Sequence, residues 1–479
     1  MKGSVLQRLL TKQKQEKFGS AVNNDKWDEL VPNIISGVSK FEDVIVPIQE
    51  RGKVMNLFQY VTILEPSQPH LGLITRILSI IPNENMQEAA GHLREMALTY
   101  GSSASPIIDL IVRNFLNQSE LFLADIINSL MDASQNFVPL IAASITKYFP
   151  QTTFEGDQQI NFLRSTLHVC SYSYDVTLKV LGRVVQHIVG LDCELMIRTY
   201  KGTDAIVIDE DVAALLTPQI LFLLDFIENA SQNIFTLLLQ LFDVYILDLP
   251  YSSVVQFIYF MASSFSSENY QTFVGFLLAK IFNENVNKRT RGNAAFYAST
   301  LVARAKYIDD QFATFVLDYV SNFAECYLNH IKQNSPQFLT RNIQVHAVYY
   351  YALQCFAYIY CWRHDGFEKM EIDVESRWKV SLLFNNELEG LSAIDPNTAV
   401  MFSNFGLIDY EPDQSVIERI QVWFPYDPCP LEEIAERVSS YYMQWGENAE
   451  PGDVDAALEN SLSRICAMRG ISLGDILGQ

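Results

Sequence analysis

Apolar side chains recur along most of this chain at steps of three and four residues. Such spacing puts them on one face of an α-helix, which turns once every 3.6 residues. Consecutive stripes of this kind, separated by short joints with Ser, Asn, Asp or Pro, cover residues 107–115, 121–131, 137–148, 162–169, 176–189, 220–226, 254–261 and 273–282. The two-residue alternation typical of strands is nearly absent. The sequence therefore predicts an all-α protein.

One further stripe is unusually aromatic. Its members recur at helical spacing and comprise Phe312, Phe315, Val316, Tyr319, Val320, Phe323 and Tyr327. This spacing predicts a helix whose apolar face is turned toward the core.

The order of the helices predicts their arrangement. Helices of similar length joined by short connections form antiparallel pairs, and one pair cannot bury its own apolar face without neighbours. Two-helix units of about 40 residues have the size of HEAT or armadillo repeats. We therefore expect a HEAT-repeat α-solenoid, a superhelix of antiparallel helix pairs. No sharp sequence repeat marks its units.

Two irregular regions divide the predicted solenoid. The segment KGTDAIVIDED (residues 201–211) interrupts the helical pattern, so we predict a surface loop there. After residue 365 the stripes shorten and turn signals appear at Asp395-Pro396, Glu411-Pro412 and residues 425–430. We predict a solenoid body over residues 1–364 and a C-terminal portion of shorter helices over residues 365–479.

Charge distinguishes these two regions. The chain has 34 Lys and Arg against 56 Asp and Glu, a formal net charge of −22. Residues 365–479 hold 22 of the acidic and 7 of the basic residues, a net charge of −15, which leaves −7 for the first 364 residues. This balance argues against a general nucleic-acid coat and fits a folded acidic protein with selective partners. The acidic portion is either a docking surface for a basic partner or a solvated face.

The sequence contains none of the common catalytic motifs that we considered. The chain lacks a GxxxxGK[ST] or GxGxxG phosphate loop, a GxSxG elbow, an HExxH pair and a CxxC pair. Cys355, Cys361 and His364 have an irregular spacing for zinc and lie in an aromatic run, so we interpret them as residues of a buried helix. We predict no enzyme, no cofactor, no metal site and no membrane-spanning segment.

A local reversal of charge gives one candidate contact region. No Asp or Glu occurs between Asn285 and Ile308, a stretch that carries five basic residues: Lys288, Arg289, Arg291, Arg304 and Lys306. This basic patch could touch DNA phosphates or an acidic protein surface. The alternative interpretation is a solvated helix face.

Three segments, in order, carry a resemblance to a known family. They are TRGNAAFYASTLVARAKYI (residues 290–308), HAVYYYALQCFAYIYCWRH (residues 346–364) and WFPYDPCPLEEIAERVSSYYMQWGE (residues 423–447). Weaker likeness covers KYFP (residues 147–150), GLDCEL (residues 190–195) and PNTAVMF (residues 396–402). Together these segments resemble the RNA polymerase I-specific transcription initiation factor family of the TIF-IA type.

This resemblance implies a HEAT-repeat fold and a function. Members bind RNA polymerase I, on the side of its stalk subunits, and bridge it to promoter-bound core initiation factors at ribosomal DNA. The resemblance further implies a nuclear and nucleolar location and a homodimer of the free factor. The weak DNA contact that we also consider rests on the basic patch alone. The alternative is a generic HEAT or armadillo-type scaffold or nuclear transport adaptor, although the asparagine and tryptophan ladders expected of an adaptor are not evident.

The family's polymerase contact implies specific residues in this chain. Its serine-rich patch, controlled by phosphorylation, corresponds to Ser102, Ser103 and Ser105 in GSSAS and to Ser134 in MDASQNF. The alternative is that these serines only cap and join helices, which Ser favours. In FPYDP, we expect Tyr426 and Asp427 to hold a turn rather than contact a partner. The long acidic insertion of the family is reduced here to residues 204–211.

Overall fold

A computed structural model describes residues 26–101, 104–199, 208–230, 234–249, 252–408, 410, 418–420 and 429–443. These residues contain helices and no β-strand, apart from one isolated bridge between Ala305 and Tyr442. The all-α prediction is confirmed. The chain divides between Val184 and Val185 into two compact units, which are described separately here.

The first unit is built from paired helices with short connections. Its helices are α1 (Trp27–Ile35), α2 (Phe41–Glu50), α3 (Val54–Thr62), α4 (Gln68–Leu78), α5 (Asn83–Thr99), α6 (Ala104–Arg113), α7 (Phe122–Ala133), α8 (Phe137–Tyr148) and α9 (Gly156–Tyr172). Helix α10 (Tyr174–Thr199) runs across the division.

Alternate helices of this unit lie side by side in two layers. The Arg94 guanidinium donates to the Ser129 hydroxyl at 3.1 Å and joins α5 to α7. In the other layer the Lys147 ammonium lies 2.9 Å from the Asp109 carboxylate and joins α8 to α6. Aliphatic side chains fill the space between the layers, including Leu93, Ile111 and Ile127, which are fully buried. This is the stacking of helix pairs that the apolar stripes predict.

The second unit begins with longer helices and ends with short ones. They are α11 (Glu210–Glu228), α12 (Ile234–Tyr245), α13 (Gln256–Ser264), α14 (Ser267–Phe282), α15 (Lys288–Arg304), α16 (Asp310–Asn334), α17 (Ala347–Lys369), α18 (Val374–Trp378), α19 (Val380–Phe384), α20 (Gly390–Ala393), α21 (Pro396–Ser403) and α22 (Glu432–Ser439). Side chains that accept from a backbone N–H of the first turn cap six of them: Asp209, Ser266, Asn287, Asp309, Asp373 and Asp395.

Helices α15 and α17 form the centre of this unit. Almost every described residue of α15 from Gly292 onward is buried, although the helix is rich in small and polar residues. These small residues allow close approach: a Cβ on Gly292 would lie 2.8 Å from the ring of Tyr351 on α17. Buried Tyr349 and Tyr350 donate to the carbonyl oxygens of Leu383 and Leu388 at 2.5 and 2.8 Å. Helix α17 therefore anchors the short helices that follow it.

Two expectations differ from the structure in detail. On α16, Val316 and Val320 are buried as predicted, but Phe315 and Tyr319 are exposed. The aromatic stripe is wider than the face that α17 covers, so Phe315 and Tyr319 remain in solvent. The boundary expected at residues 364 and 365 falls inside the continuous helix α17. Residues 201–207 of the expected loop lie outside the described residues, and α11 begins at Glu210.

Candidate interaction site

The three sequence segments with the strongest family likeness converge on one buried arginine. Arg304 ends α15 and is 0% exposed. Its guanidinium carbon lies 4.9 Å from the ring centroids of both Trp362 on α17 and Tyr442 beyond α22. Its Nε donates to the Met443 carbonyl oxygen at 2.8 Å. A planar cation between two aromatic faces gains from the ring quadrupoles without leaving the apolar interior.

Backbone contacts complete this junction. The Met443 N–H donates to the Arg304 carbonyl at 3.0 Å, and the Lys306 N–H donates to the Tyr441 carbonyl at 2.9 Å. Neighbouring Arg363 donates to the carbonyls of Val302 and Ala305 at 3.1 and 2.8 Å. The chain after α22 is thus fixed along the end of α15. We call Arg304, Trp362, Arg363 and Tyr442 the arginine junction.

Arg363 is also paired with a carboxylate. Its Nη1 lies 3.2 Å from an oxygen of Asp310, at the start of α16. Burial lowers the pKa of Arg363, and the Asp310 charge opposes that shift. The Arg363 guanidinium thus bonds α15, α16 and α17 together.

The weaker segments of likeness also lie at joints between helices. In KYFP, Lys147 and Tyr148 both donate to Asp109 at 2.9 Å. In GLDCEL, the carboxylate of buried Asp192 accepts from the N–H groups of Ser253, Val254 and Val255 at the start of α13. Burial raises the pKa of Asp192, and these hydrogen bonds oppose the shift.

PNTAVMF forms a third such joint. Thr398 on α21 accepts a hydrogen bond from Gln354 of α17 at 3.0 Å, and the Gln354 side-chain oxygen accepts from the Asp395 N–H at 2.9 Å. All three residues are buried. The weaker segments of likeness therefore also hold neighbouring helices together.

The structure describes two of the four serines that are expected to contact the polymerase. Ser102 and Ser103 lie outside the described residues. Ser105 is exposed in the first turn of α6, and Ser134 is half-buried at the end of α7. The Ser134 hydroxyl accepts from the Asn136 N–H at 3.3 Å, so it also has the joint role that Ser favours.

Helix directions bring Ser105 and Ser134 to the same edge of the first unit. Arg113 at the end of α6 donates to the hydroxyl of Tyr148 at the end of α8 at 2.5 Å, so both helices start at the opposite edge. Ser134 to Asn136 connect α7 to α8, which puts Ser134 at that edge as well. Neighbouring helix axes lie about 8–10 Å apart, so the two serines are near neighbours.

The same edge contains residues that the sequence did not single out. The exposed Tyr172 hydroxyl at the end of α9 donates to Asp132 at the end of α7, and half-buried Ser173 begins the connection to α10. Asp132 is exposed, and residues 98–101, 130–138 and 170–178 contain no Lys or Arg. We call Ser105, Asp132, Ser134, Tyr172 and Ser173 the serine edge. Only the antiparallel order of the helices could have revealed it.

The five basic candidates do not form one surface. Lys288 and Arg289 are exposed at the start of α15, and Arg291 is half-buried with its Nε donating to the Ile281 carbonyl at 2.6 Å. Arg304 is in the arginine junction, about 22 Å from Arg289 along the helix axis. Arg304 was expected to be a surface contact, and the structure corrects this expectation. The side chain is buried because it packs against aromatic rings.

Lys306 lies beyond the end of α15, so it belongs neither with the basic residues at the start of that helix nor with the arginine junction. Its side chain is exposed, and its ammonium donates to the Ser439 carbonyl at the end of α22 at 2.7 Å. Lys288 likewise donates to the Gln344 carbonyl at 2.5 Å. Lys288 and Lys306 are thus both held against the surface by backbone carbonyl groups.

The cysteine cluster is packed rather than open. Burial raises the pKa of Cys355 and of Cys361 to about 12. His364 stacks on Phe405, with ring centroids 4.2 Å apart. Thiols this resistant to ionisation are poor nucleophiles and poor metal ligands. The FPYDP turn, with Tyr426 and Asp427, lies outside the described residues. Within the described part of the chain, no helix is both long and apolar enough to cross a membrane.

Comparison with known proteins gives one consistent result. Residues 223–406 match the family model of the RNA polymerase I specific transcription initiation factor RRN3. The chain is 21% identical to RNA polymerase I-specific transcription initiation factor rrn3 of Schizosaccharomyces pombe, over 63% of each chain. It is also 21% identical to RRN3 of Saccharomyces cerevisiae, over 45% of this chain and 41% of that one.

These matches cover less than two thirds of the length of either relative. The fold, in contrast, is shared along nearly the whole chain. The crystal structure of RNA polymerase I transcription initiation factor Rrn3 superposes with a TM-score of 0.72 at 17% identity, covering 91% of this chain and 99% of that one. The solenoid-like stacking of helix pairs expected from the sequence is therefore confirmed as that of a known fold.

Proposed function

Because the chain belongs to the RNA polymerase I-specific transcription initiation factor family, we propose that it binds RNA polymerase I and bridges it to promoter-bound core factors at ribosomal DNA. Its relatives from two yeasts are named RNA polymerase I-specific transcription initiation factors. The proposed role is nuclear and, since ribosomal DNA is transcribed there, nucleolar. The factor acts by binding and not by catalysis.

The serine edge is the observation that carries this proposal. It brings Ser105, Ser134 and Ser173 together on helix ends, with hydroxyl groups and Tyr172 available to a partner. Unmodified hydroxyls both donate and accept hydrogen bonds, and tyrosine adds apolar area at low entropic cost. Such a surface fits a polar partner surface that approaches the helix ends. We assign the polymerase contact, on the side of its stalk subunits, to this edge.

Phosphorylation of these serines would act as an off-switch. A phosphoryl group adds about −1.5 to −2 charges at neutral pH. On Ser134 that charge would stand beside the exposed carboxylate of Asp132, two residues away. The modified edge would repel an acidic partner surface and would pay a larger desolvation cost at any interface.

The remaining basic residues support a second, weaker contact. Lys288, Arg289 and Arg291 share the start of α15, and Lys306 lies at its other end. We propose that the first group touches DNA phosphates or an acidic surface of the initiation complex. Charge contacts of this kind weaken as salt increases. Self-association of the free factor remains part of the proposal, with no surface assigned to it.

Affinity purification with RNA polymerase I tests this function. The full chain, immobilised at low salt, is expected to retain the purified polymerase, and the Ser105→Asp, Ser134→Asp double variant is expected to retain less. Purified RNA polymerase II serves as the control for selectivity. Failure to retain RNA polymerase I at low salt, or equal retention of both polymerases, would overturn the proposal.

A further inference from the structure

A strip of exposed aromatic side chains runs along α16 in the second unit. Phe315 and Tyr319 are 58% and 50% exposed and lie one helical turn apart. Phe312 and Phe323 continue the stripe in both directions, and Phe282 of α14 packs against Tyr319 and Phe323 with centroids 5.3 and 4.2 Å apart. We call these five residues the aromatic strip.

Helix α14 runs parallel to α16 and supplies the floor beside the strip. Tyr270 contacts Phe312 near the starts of the two helices, and Phe282 contacts Phe323 further along both. The outward positions of α14 between these contacts are Gln271, Thr272, Gly275 and Ala279, all exposed. A Cβ on Gly275 would meet nothing within 4 Å. Small side chains next to large aromatic ones leave a shallow groove between the two helices.

Between its two ends this groove is poor in charge, although the protein as a whole is strongly charged. The charged side chains along the two helices pair with residues on their far flanks. Lys280 binds Asp243 at 2.7 Å, and Asp318 binds Arg377 at 2.7 Å. Glu325 binds Lys379 at 2.6 Å. Depletion of charge with enrichment of aromatic residues is the composition of a protein interface core.

One end of the groove is acidic. Glu268 and Asp309 are exposed beside the starts of α14 and α16, which the Tyr270–Phe312 contact brings together. The other end, beside Phe282, carries Arg291, whose Nε donates to the Ile281 carbonyl at 2.6 Å. The groove therefore has a direction: apolar along its length and negative at one end.

We propose that this groove binds an amphipathic helix of a partner protein, one with an aliphatic face and a Lys- or Arg-bearing end. Aliphatic anchors at every third or fourth position match the spacing of Phe312, Phe315, Tyr319 and Phe323. The basic end lies over Glu268 and Asp309. This surface is in the second unit, contains none of the residues of the serine edge, and does not depend on the polymerase contact.

A designed helical peptide tests the chemistry directly. The probe is a stapled, fluorescently labelled 14-residue helix with leucines at helical spacing and two lysines at one end; a second probe has glutamates in place of the lysines. Fluorescence anisotropy with the full chain is expected to give saturable binding of the lysine probe. The Phe315→Ser, Tyr319→Ser variant is expected to weaken it at least about tenfold, as loss of central aromatic anchors does.

Controls separate this result from other outcomes. Val244→Ser, which removes a side chain 70% exposed on α12, is expected to leave binding unchanged. Glu268→Gln is expected to weaken the lysine probe about threefold and leave the glutamate probe unaffected or tighter. Equal binding of the lysine probe to wild type and the double variant, or no saturable binding, would overturn the proposal. So would sedimentation showing that the double variant only converts a dimer to a monomer, since the occupant would then be a second copy.

Discussion

The guanidinium of Arg304 stacks on the ring of Tyr442, 4.9 Å from its centroid, and both side chains are fully buried. This contact attaches the segment after α22 to the end of α15. Arg437 on α22 adds contacts to Asp225 and Glu228 of α11. The second unit is thus closed by a segment from near the end of the described chain. A rigid framework of this kind lets surface residues act on a partner without rearrangement.

Replacing Arg304 tests the arginine junction. Arg304→Ala is expected to lower the free energy of unfolding by about 3 kcal/mol, because it removes two ring contacts and leaves the half-buried Met443 carbonyl without its side-chain donor. Arg304→Lys is expected to recover only part of this, since an ammonium lacks the planar face that stacks. Urea denaturation followed by tryptophan fluorescence measures the change.

Arg289 provides the matched control on the same helix. It is exposed, and Arg289→Ala is expected to change the free energy of unfolding by less than about 0.5 kcal/mol. Equal stability of the Arg304→Ala and Arg289→Ala proteins would show that the junction contributes nothing to the fold.

Two glycines on neighbouring helices should respond oppositely to the same change. Gly292→Ala puts a methyl group 2.8 Å from the Tyr351 ring and is expected to cost about 1–3 kcal/mol through overpacking. Gly275→Ala enters open space in mid-helix and is expected to stabilise by about 0.5–1 kcal/mol. Thermal unfolding of both variants gives the comparison, and a Gly292→Ala protein as stable as wild type would contradict the close packing of α15 on α17.

Stability should depend on pH through His346. Its ring nitrogens lie 2.9 Å from the Tyr327 hydroxyl and 2.9 Å from the Phe338 carbonyl. Burial lowers the pKa of His346 below its ordinary value of 6.5. The unfolded chain therefore binds the proton more readily, and the stabilisation present above pH 6.5 is lost as the pH falls through the folded pKa.

Chemical denaturation between pH 7 and pH 5 measures this effect. His346→Gln keeps hydrogen-bonding capacity without a titrating group, so its stability is expected to fall less over the same range. If the free energy of unfolding falls equally with pH in both proteins, then His346 does not cause the pH dependence.

Negative charge at the serine edge should weaken polymerase binding without unfolding the protein. Ser105→Asp with Ser134→Asp is expected to raise the dissociation constant for purified RNA polymerase I by about tenfold, through repulsion and desolvation. Ser79→Asp is the control, because Ser79 is exposed where α4 leads into α5, at the opposite edge of the unit. If wild type, the double variant and the control have the same melting temperature and the same affinity for RNA polymerase I, then Ser105 and Ser134 do not belong to the contact.

Sequence patterns predicted the helices well and their exposed faces less well. The stripe at residues 137–148 coincides with α8, because an apolar face buried between two layers leaves a clear period. The stripe containing Phe315 and Tyr319 predicted burial for two side chains that are exposed, because apolar spacing does not reveal which neighbours a helix has. Arg304 was assigned to the surface for a similar reason: charge in a sequence carries no sign of the aromatic rings that bury it. The serine edge depends on helix directions, which a linear pattern does not contain.

Promoter-dependent transcription measures whether the chain acts as an initiation factor for RNA polymerase I. Purified RNA polymerase I, core promoter factors and a ribosomal DNA template are combined with or without the full chain, and specific run-off transcripts are counted. Specific initiation by RNA polymerase I is expected to depend on the chain, while initiation by RNA polymerase II at its own promoter is expected not to change. Specific transcript levels that stay the same with and without the chain would contradict this expectation.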